Sequence, residues 1–270
     1  MKSRGHLNPS AGAPVMRLPP PARAAGLVGW FWVPEWDLPE GVTHRALVLT
    51  YAACNLVVDP EGMFVYGPST RISERVLSGR GWAVGALLRP AATPLLVPEV
   101  RSVLDSRLAV DDAALAATVT VAMAGRAAER HAIVSEAVSD WLLARRDSRW
   151  PAGPPGEAAV ANRLLDLVDG PEPPHRLGDL ADALGVSPRA VQRIARRYVG
   201  ITPAAMLRRR RLQDAVPRVQ AGEDLAAVAA ELGYADQAHL TRDFRTVLGF
   251  TPARFAESAE VRGSEPPSRQ

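Results

Sequence analysis

Between Leu177 and Phe255 the chain states nearly the same pattern twice, which restricts it to few folds. Leu177-Gly-Asp-Leu-Ala-Asp-Ala-Leu-Gly185 is echoed by Leu225-Ala-Ala-Val-Ala-Ala-Glu-Leu-Gly233, and Gly200-Ile-Thr-Pro203 by Gly249-Phe-Thr-Pro252. The offset is 48 residues before the central turn and 49 after it. Each copy reads as a short helix, a glycine turn and a longer helix. The pattern predicts two helix-turn-helix units in tandem.

In the first copy Leu177, Leu180, Ala181 and Leu184 share one helical face, and Gly185 suits the left-handed residue that ends a helix. Ser187 is a good N-cap and Pro188 a good first helical residue. The next helix then divides: Val191, Ile194, Ala195 and Tyr198 lie on one side, and Arg189, Gln192, Arg193 and Arg196 on the other. Arginine and glutamine reach guanine and adenine edges through paired hydrogen bonds; a solvated helix face carries the same residues. In the second copy Asp236 is the N-cap candidate, Leu240, Phe244, Val247 and Leu248 face inward, and Gln237, His239, Arg242 and Arg245 face outward. His239 reads either as holding the turn through a backbone carbonyl or as a base contact. Between the copies Thr202 and Pro203 start a helix that carries Arg208 to Arg211, and Pro217 is expected to kink or shorten it.

Charge sharpens the reading. The net charge is only +3, but from Gly185 to Arg218 nine arginines stand against one acid, Asp214, a local excess of +8. Such a stripe on a nearly neutral chain points to a polyanion. A GC-rich coding bias accounts for arginine over lysine, but not for the clustering.

The remainder of the 270 residues is enough for a second domain. One cysteine, Cys54, excludes a disulfide framework and a four-thiolate zinc site, and favours a reducing, cytoplasmic setting. No apolar run is long enough to predict a membrane span. Residues 1–25 lack a signal-peptide core and read as a disordered tail. Residues 26–97 read as a β-rich module of five to seven strands, with runs at residues 45–51, 55–58, 63–66 and 81–88 and turns at Asp59-Pro-Glu-Gly62 and Gly67-Pro68. Residues 98–149 read as helical and suited to a dimer contact. The predicted apolar faces are Val100, Val103, Leu104 and Leu108, then Leu115, Val119 and Met123 behind a cap at Asp111 or Asp112, then Ile133, Ala137, Val138, Trp141 and Leu142. A linker over 150–156, a double helix-turn-helix domain over 157–258 and a disordered tail over 259–270 complete an α+β chain, with a β-rich module and helices ahead of an all-α domain.

Residues 157–258 resemble the AraC/XylS family of bacterial transcription regulators. The resemblance rests on Leu180-Ala-Asp-Ala-Leu-Gly-Val-Ser187, Gln192-Arg193, the stretch from Val228 to Phe244, and Gly249-Phe-Thr-Pro-Ala-Arg-Phe255. It implies seven helices, two helix-turn-helix units and a joining helix. It also implies sequence-specific binding of double-stranded promoter DNA, commonly with activation through RNA polymerase. The family's base contacts fall on Arg189, Gln192, Arg193, Gln237, Ala238, His239 and Arg242. Phosphate or supporting roles are expected for Arg196, Arg197, Arg208, Arg209 and Arg245. The N-terminal half is similar to a β-rich domain of unknown function found ahead of this DNA-binding domain, through Gly29-Trp-Phe-Trp32, Asn55-Leu-Val-Val58, Val65-Tyr-Gly-Pro68 and Leu87-Leu-Arg-Pro90. In many relatives the N-terminal part is a cupin-like effector and homodimerisation domain. Trp30, Trp32, Tyr51 and Cys54 are the candidate pocket residues for a small-molecule effector.

Two other classes compete: a regulator controlled by a protein partner, and a DNA-binding domain fused to an alkyl-transfer enzyme. The second needs an activated nucleophile, and Cys54 has no basic sequence context. A metal-dependent cupin needs several histidines, and residues 26–92 hold only His44. No enzyme, cofactor or metal is expected.

Overall fold

The computed structural model describes residues 5, 7, 8, 12–150 and 155–263. Among these, the N-terminal part holds nine strands: β1 (Val15–Leu18), β2 (Val28–Asp37), β3 (Thr43–Val48), β4 (Asn55–Asp59), β5 (Gly62–Tyr66), β6 (Ser73–Ser78), β7 (Arg80–Trp82), β8 (Val84–Leu88) and β9 (Arg107–Ala109). Seven form an antiparallel sheet ordered β1-β2-β8-β4-β5-β9, with β7 on the far end of β2. β3 and β6 form a separate ribbon, in register from Thr43–Ser78 to Val48–Ser73.

The strands alternate as a half-buried sheet should. Phe31 and Val33 of β2 enter the module core, while Trp30 and Trp32 point to the other face. Trp32 lies flat over Gly85, where a Cβ would come within 1.9 Å of the indole, so only glycine fits there. Helix α1 (Thr93–Leu96) lies between β8 and β9, α2 (Ala113–Ala124) and α3 (Ala127–Arg149) follow β9, and α2 and α3 cover the face that carries Phe31. Asp112 caps α2 by accepting from Leu115 N at 3.0 Å, and it also accepts from Trp141 Nε1 at 2.6 Å.

Four expectations change here. Residues 15–18 are not tail, because Val15, Met16, Arg17 and Leu18 supply an edge strand to β2. Leu7 is also buried, its N–H donating to Leu47 O. Residues 98–110 are not a helix. Val100 and Val103 are buried on a single 3₁₀ turn, whereas Leu108 is an exposed residue of β9. A three-residue spacing fits both helix types, and only the turn is realised. In α3 the buried row is Val134, Val138 and Leu142, and Ile133 is 46% exposed. At the other end α10 runs to Gly263, inside the expected C-terminal tail. Most of the expected linker, residues 151–154, lies outside the described residues.

The C-terminal part has, among the described residues, seven helices: α4 (Gly156–Asp169), α5 (Leu177–Leu184), α6 (Pro188–Ile194), α7 (Pro203–Gln220), α8 (Leu225–Glu231), α9 (Gln237–Leu248) and α10 (Pro252–Gly263). A π turn, Ala195–Val199, prolongs α6. α7 runs through Pro217, which sits exposed in its last turn. The missing N–H removes one bond of the ladder, and the helix continues to Gln220.

The two halves share cores. Leu7, Leu47 and Leu49 pack with Leu212, Val216 and Phe244, and Ala52, Ala53 and Leu87 pack with Leu164, Leu180 and Leu184.

Candidate nucleic-acid interface

Each candidate reading helix is positioned by its own caps. Ser187 Oγ accepts from Ala190 N at 3.2 Å, Pro188 opens α6, and Gly185 holds φ +67° in the preceding turn. Val191, Ile194, Ala195 and Tyr198 are buried as predicted. Arg189, Gln192, Arg193, Arg196 and Arg197 are all exposed. They line one wall of a groove of about 810 Å³, whose other wall is Pro98, Glu99 and Arg101 of the N-terminal module. With Arg101, five guanidinium groups among the described residues face this groove against the carboxylate of Glu99. Such a surface attracts polyanions at long range.

Sequence reasoning missed Glu157. It sits in the first turn of α4 and accepts from Arg193 Nη1, and from Arg197 Nη1 at 3.2 Å. One carboxylate thus holds a base-contact candidate and a phosphate-contact candidate where a DNA backbone would add more negative charge. The substitution Glu157→Gln removes that charge and frees both arginines. We expect DNA affinity to rise by about 0.3–1 kcal/mol, a few-fold, with a steeper fall in added salt. Unchanged or weaker binding in a salt titration would show that Glu157 orients the arginines instead of competing for them.

In the second unit Asp236 Oδ1 caps α9 through His239 N at 2.7 Å. Gln237, Ala238, Arg242 and Arg245 are exposed, and Leu240, Phe244, Val247 and Leu248 are buried. The His239 ring stands edge-on to Tyr234, with centroids 5.2 Å apart, and its Nε2 lies 3.9 Å from Asp243. Neither contact is to the backbone carbonyl foreseen for it.

The arginine quartet of α7 departs most from expectation. Arg208 reaches the buried Asp243 at 3.3 Å. Arg209 is only 4% exposed and donates to main-chain carbonyls of the N-terminal module, so it reaches no phosphate. Burial pushes its pKa down to about 10, against the pull of nearby Asp105, and it stays charged at neutral pH. Arg210 pairs with Asp214 at 2.7 Å and Gly170 O, while Arg211 donates to Gly233 O and covers the Tyr234 ring. Successive helical residues turn by about 100°, so four like side chains in a row find four different surroundings.

The four effector-pocket candidates do not converge. Trp30 and Tyr51 meet edge to face at 4.6 Å beneath Arg17, against the core shared with the C-terminal half. Trp32 Nε1 donates to Asn55 Oδ1. Cys54 lies in the core on the opposite face of the sheet, where burial pushes its thiol up to about 12 despite a hydrogen bond with Thr93. At that value almost no thiolate exists near neutrality, so Cys54 is not an activated nucleophile. Among the described residues no cluster of three or more metal-ligating side chains occurs, and no helix is long and apolar enough to cross a membrane.

Parts of the chain are similar to known proteins. Residues 180–258 match the family model of a helix-turn-helix domain, and residues 16–107 that of a domain of unknown function, DUF6597. An uncharacterized HTH-type transcriptional regulator of Haemophilus influenzae is 25% identical over 134 residues, 49% of this chain and 42% of that protein. The match thus spans about two fifths of that relative's length. Among solved structures, apo ToxT from Vibrio cholerae has a TM-score of 0.43 at 11% identity, covering 84% of this chain and 97% of that one. The AraC-like transcriptional activator CuxR has a TM-score of 0.26 at 14% identity, covering 76% and 87%. The C-terminal unit is a DNA-binding helix-turn-helix domain of the AraC type. It follows a DUF6597 domain on the same chain.

Proposed function

We propose that the chain binds promoter DNA sequence-specifically through α6 and α9, and that its N-terminal module controls this binding. Arg189, Gln192 and Arg193 read base edges from α6, and Gln237, Ala238, His239 and Arg242 from α9. Arg196, Arg197 and Arg245 hold phosphates. The observation that carries the reading is the exposed arginine and glutamine face of α6 over a fully buried apolar face. Control from the N-terminal module is supported by the cores it shares with both helix-turn-helix units. In this reading a small-molecule effector acts at the module, and the chain works in the cytoplasm as an activator that contacts RNA polymerase.

A second reading, control through a protein partner or a second copy, is favoured by the groove of about 520 Å³ between α2 and α3. It is lined by Ala117, Val121 and Ile133, with Val121 73% exposed.

The test is selection from a pool of random duplexes with the full-length chain. Enrichment of two short words in one duplex is expected. Retention of DNA without any enriched sequence would overturn base reading.

A further inference from the structure

The N-terminal module grips both reading units, and does so with different elements. On the first unit, Asn162 of α4 accepts from Ala91 N and donates to Gly26 O, both at 2.9 Å. The 3₁₀ turn Val100–Val103 packs against the π turn that prolongs α6. On the second unit, Ile72 N, beside the β3–β6 ribbon, donates to Val247 O of α9 at 3.0 Å.

α7 joins the two units, and its grip on the ribbon is unusual. Arg209 and Gln213, one turn apart, are 4% and 3% exposed. Arg209 Nη1 donates to Thr50 O at 2.9 Å and Thr50 Oγ1 at 3.2 Å, and Nη2 donates to Ser69 O. Gln213 Nε2 donates to Leu49 O at 3.1 Å. These carbonyls lie just after β3 and shortly before β6, at the base of the ribbon.

Asp105 fastens the same loop from below. It accepts from Thr70 N at 2.6 Å, Thr70 Oγ1 at 2.7 Å and Ser69 Oγ at 3.2 Å. Burial raises its pKa, but these bonds outweigh it and hold the carboxyl below the usual range. A guanidinium seated on main-chain carbonyls is fixed in direction, because the acceptors cannot swing as a side chain can.

We propose that Arg209 is a positioning residue for DNA reading: by clamping α7 to the base of the β3–β6 ribbon, it fixes the separation and twist of the two reading helices. The inference rests on the two-helix reading above. The chain then selects two words and also the interval between them. Release of the clamp leaves α6 and α9 intact but lets the second unit pivot.

The test uses the full-length chain, Arg209→Met and Asp105→Asn, with random duplexes of about 40 base pairs. Methionine keeps an unbranched stem and helix propensity while removing the guanidinium. The wild-type chain is expected to enrich two words at one interval. Arg209→Met should enrich the same words over several intervals. Its affinity for the best paired duplex should fall about tenfold, while binding to a duplex with one word changes by less than about twofold. Asp105→Asn, outside α7, should broaden the intervals in the same direction.

The proposal is overturned if the wild-type chain shows no preferred interval. It is also overturned if both variants keep the wild-type interval, or if single-word and paired binding fall in proportion. Should Arg209→Met fail to fold by circular dichroism, Asp105→Asn decides alone. A wild-type chain that enriches no word at all sinks the two-helix reading itself, a separate result.

Discussion

Replacing Phe244 with alanine is expected to cost about 3–5 kcal/mol of folding stability, the usual loss for a large aromatic side chain removed from a tight core. Phe244 is fully buried on α9, and its ring meets Phe255 at 5.6 Å between centroids. Its cluster holds Leu212 and Val216 of α7, Val228 of α8, and Leu47 and Leu49 from the N-terminal module. The cavity would therefore open where α7, α9 and the ribbon meet. Thermal unfolding should shift down by roughly 10 °C, with the second reading unit the first to lose protection from hydrogen exchange. A loss under about 1 kcal/mol would mean that this cluster is not the packed centre assigned to it.

Arg193→Ala is expected to cost about 1–3 kcal/mol against the preferred sequence and to relax the preference at one base pair. Arg193 is exposed on the arginine-rich face of α6, one turn before Arg197, and shares Glu157 with it. Alanine leaves Arg197 and Glu157 paired, so that side of the groove keeps its geometry. The signature is a difference between sequences, measured by competition of the selected duplex against its single-base variants. Equal losses for the preferred duplex and random DNA would mean that Arg193 contributes charge alone.

The features legible in the sequence were those set by short-range rules. Ser187 and Asp236 cap their helices, Gly185 turns with positive φ, and Val191, Ile194, Ala195 and Tyr198 go inside, because each follows from spacing within one or two turns. The failures lie where the deciding partner is distant. Arg209 looked like its three neighbours, and only Thr50 and Ser69, about 150 residues earlier, separate it from them. Glu157 and Arg193 are 36 residues apart and carry no local signal of their pairing. Val100, Val103, Leu104 and Leu108 fitted a helical period, but pairing of Leu108 with Val65 of β5 won. The β-rich module was seen as such; its reach into both reading units was not.

The bond from Gln213 to Leu49 spans 164 residues of chain, and that bears on how the protein is made. A ribosome releases Leu47, Leu49 and the β3–β6 ribbon long before α7 exists to cover them. Contacts of such sequence separation form late, because the loop must close before they repay its entropy. Until α7 is made, the molecule thus carries Leu47 and Leu49 uncovered at the base of the ribbon, the kind of apolar surface that chaperones shield. Helices α7 to α9 complete the second helix-turn-helix unit and at the same moment bury Leu47 and Leu49, so a chain truncated before α7 leaves these two side chains bare.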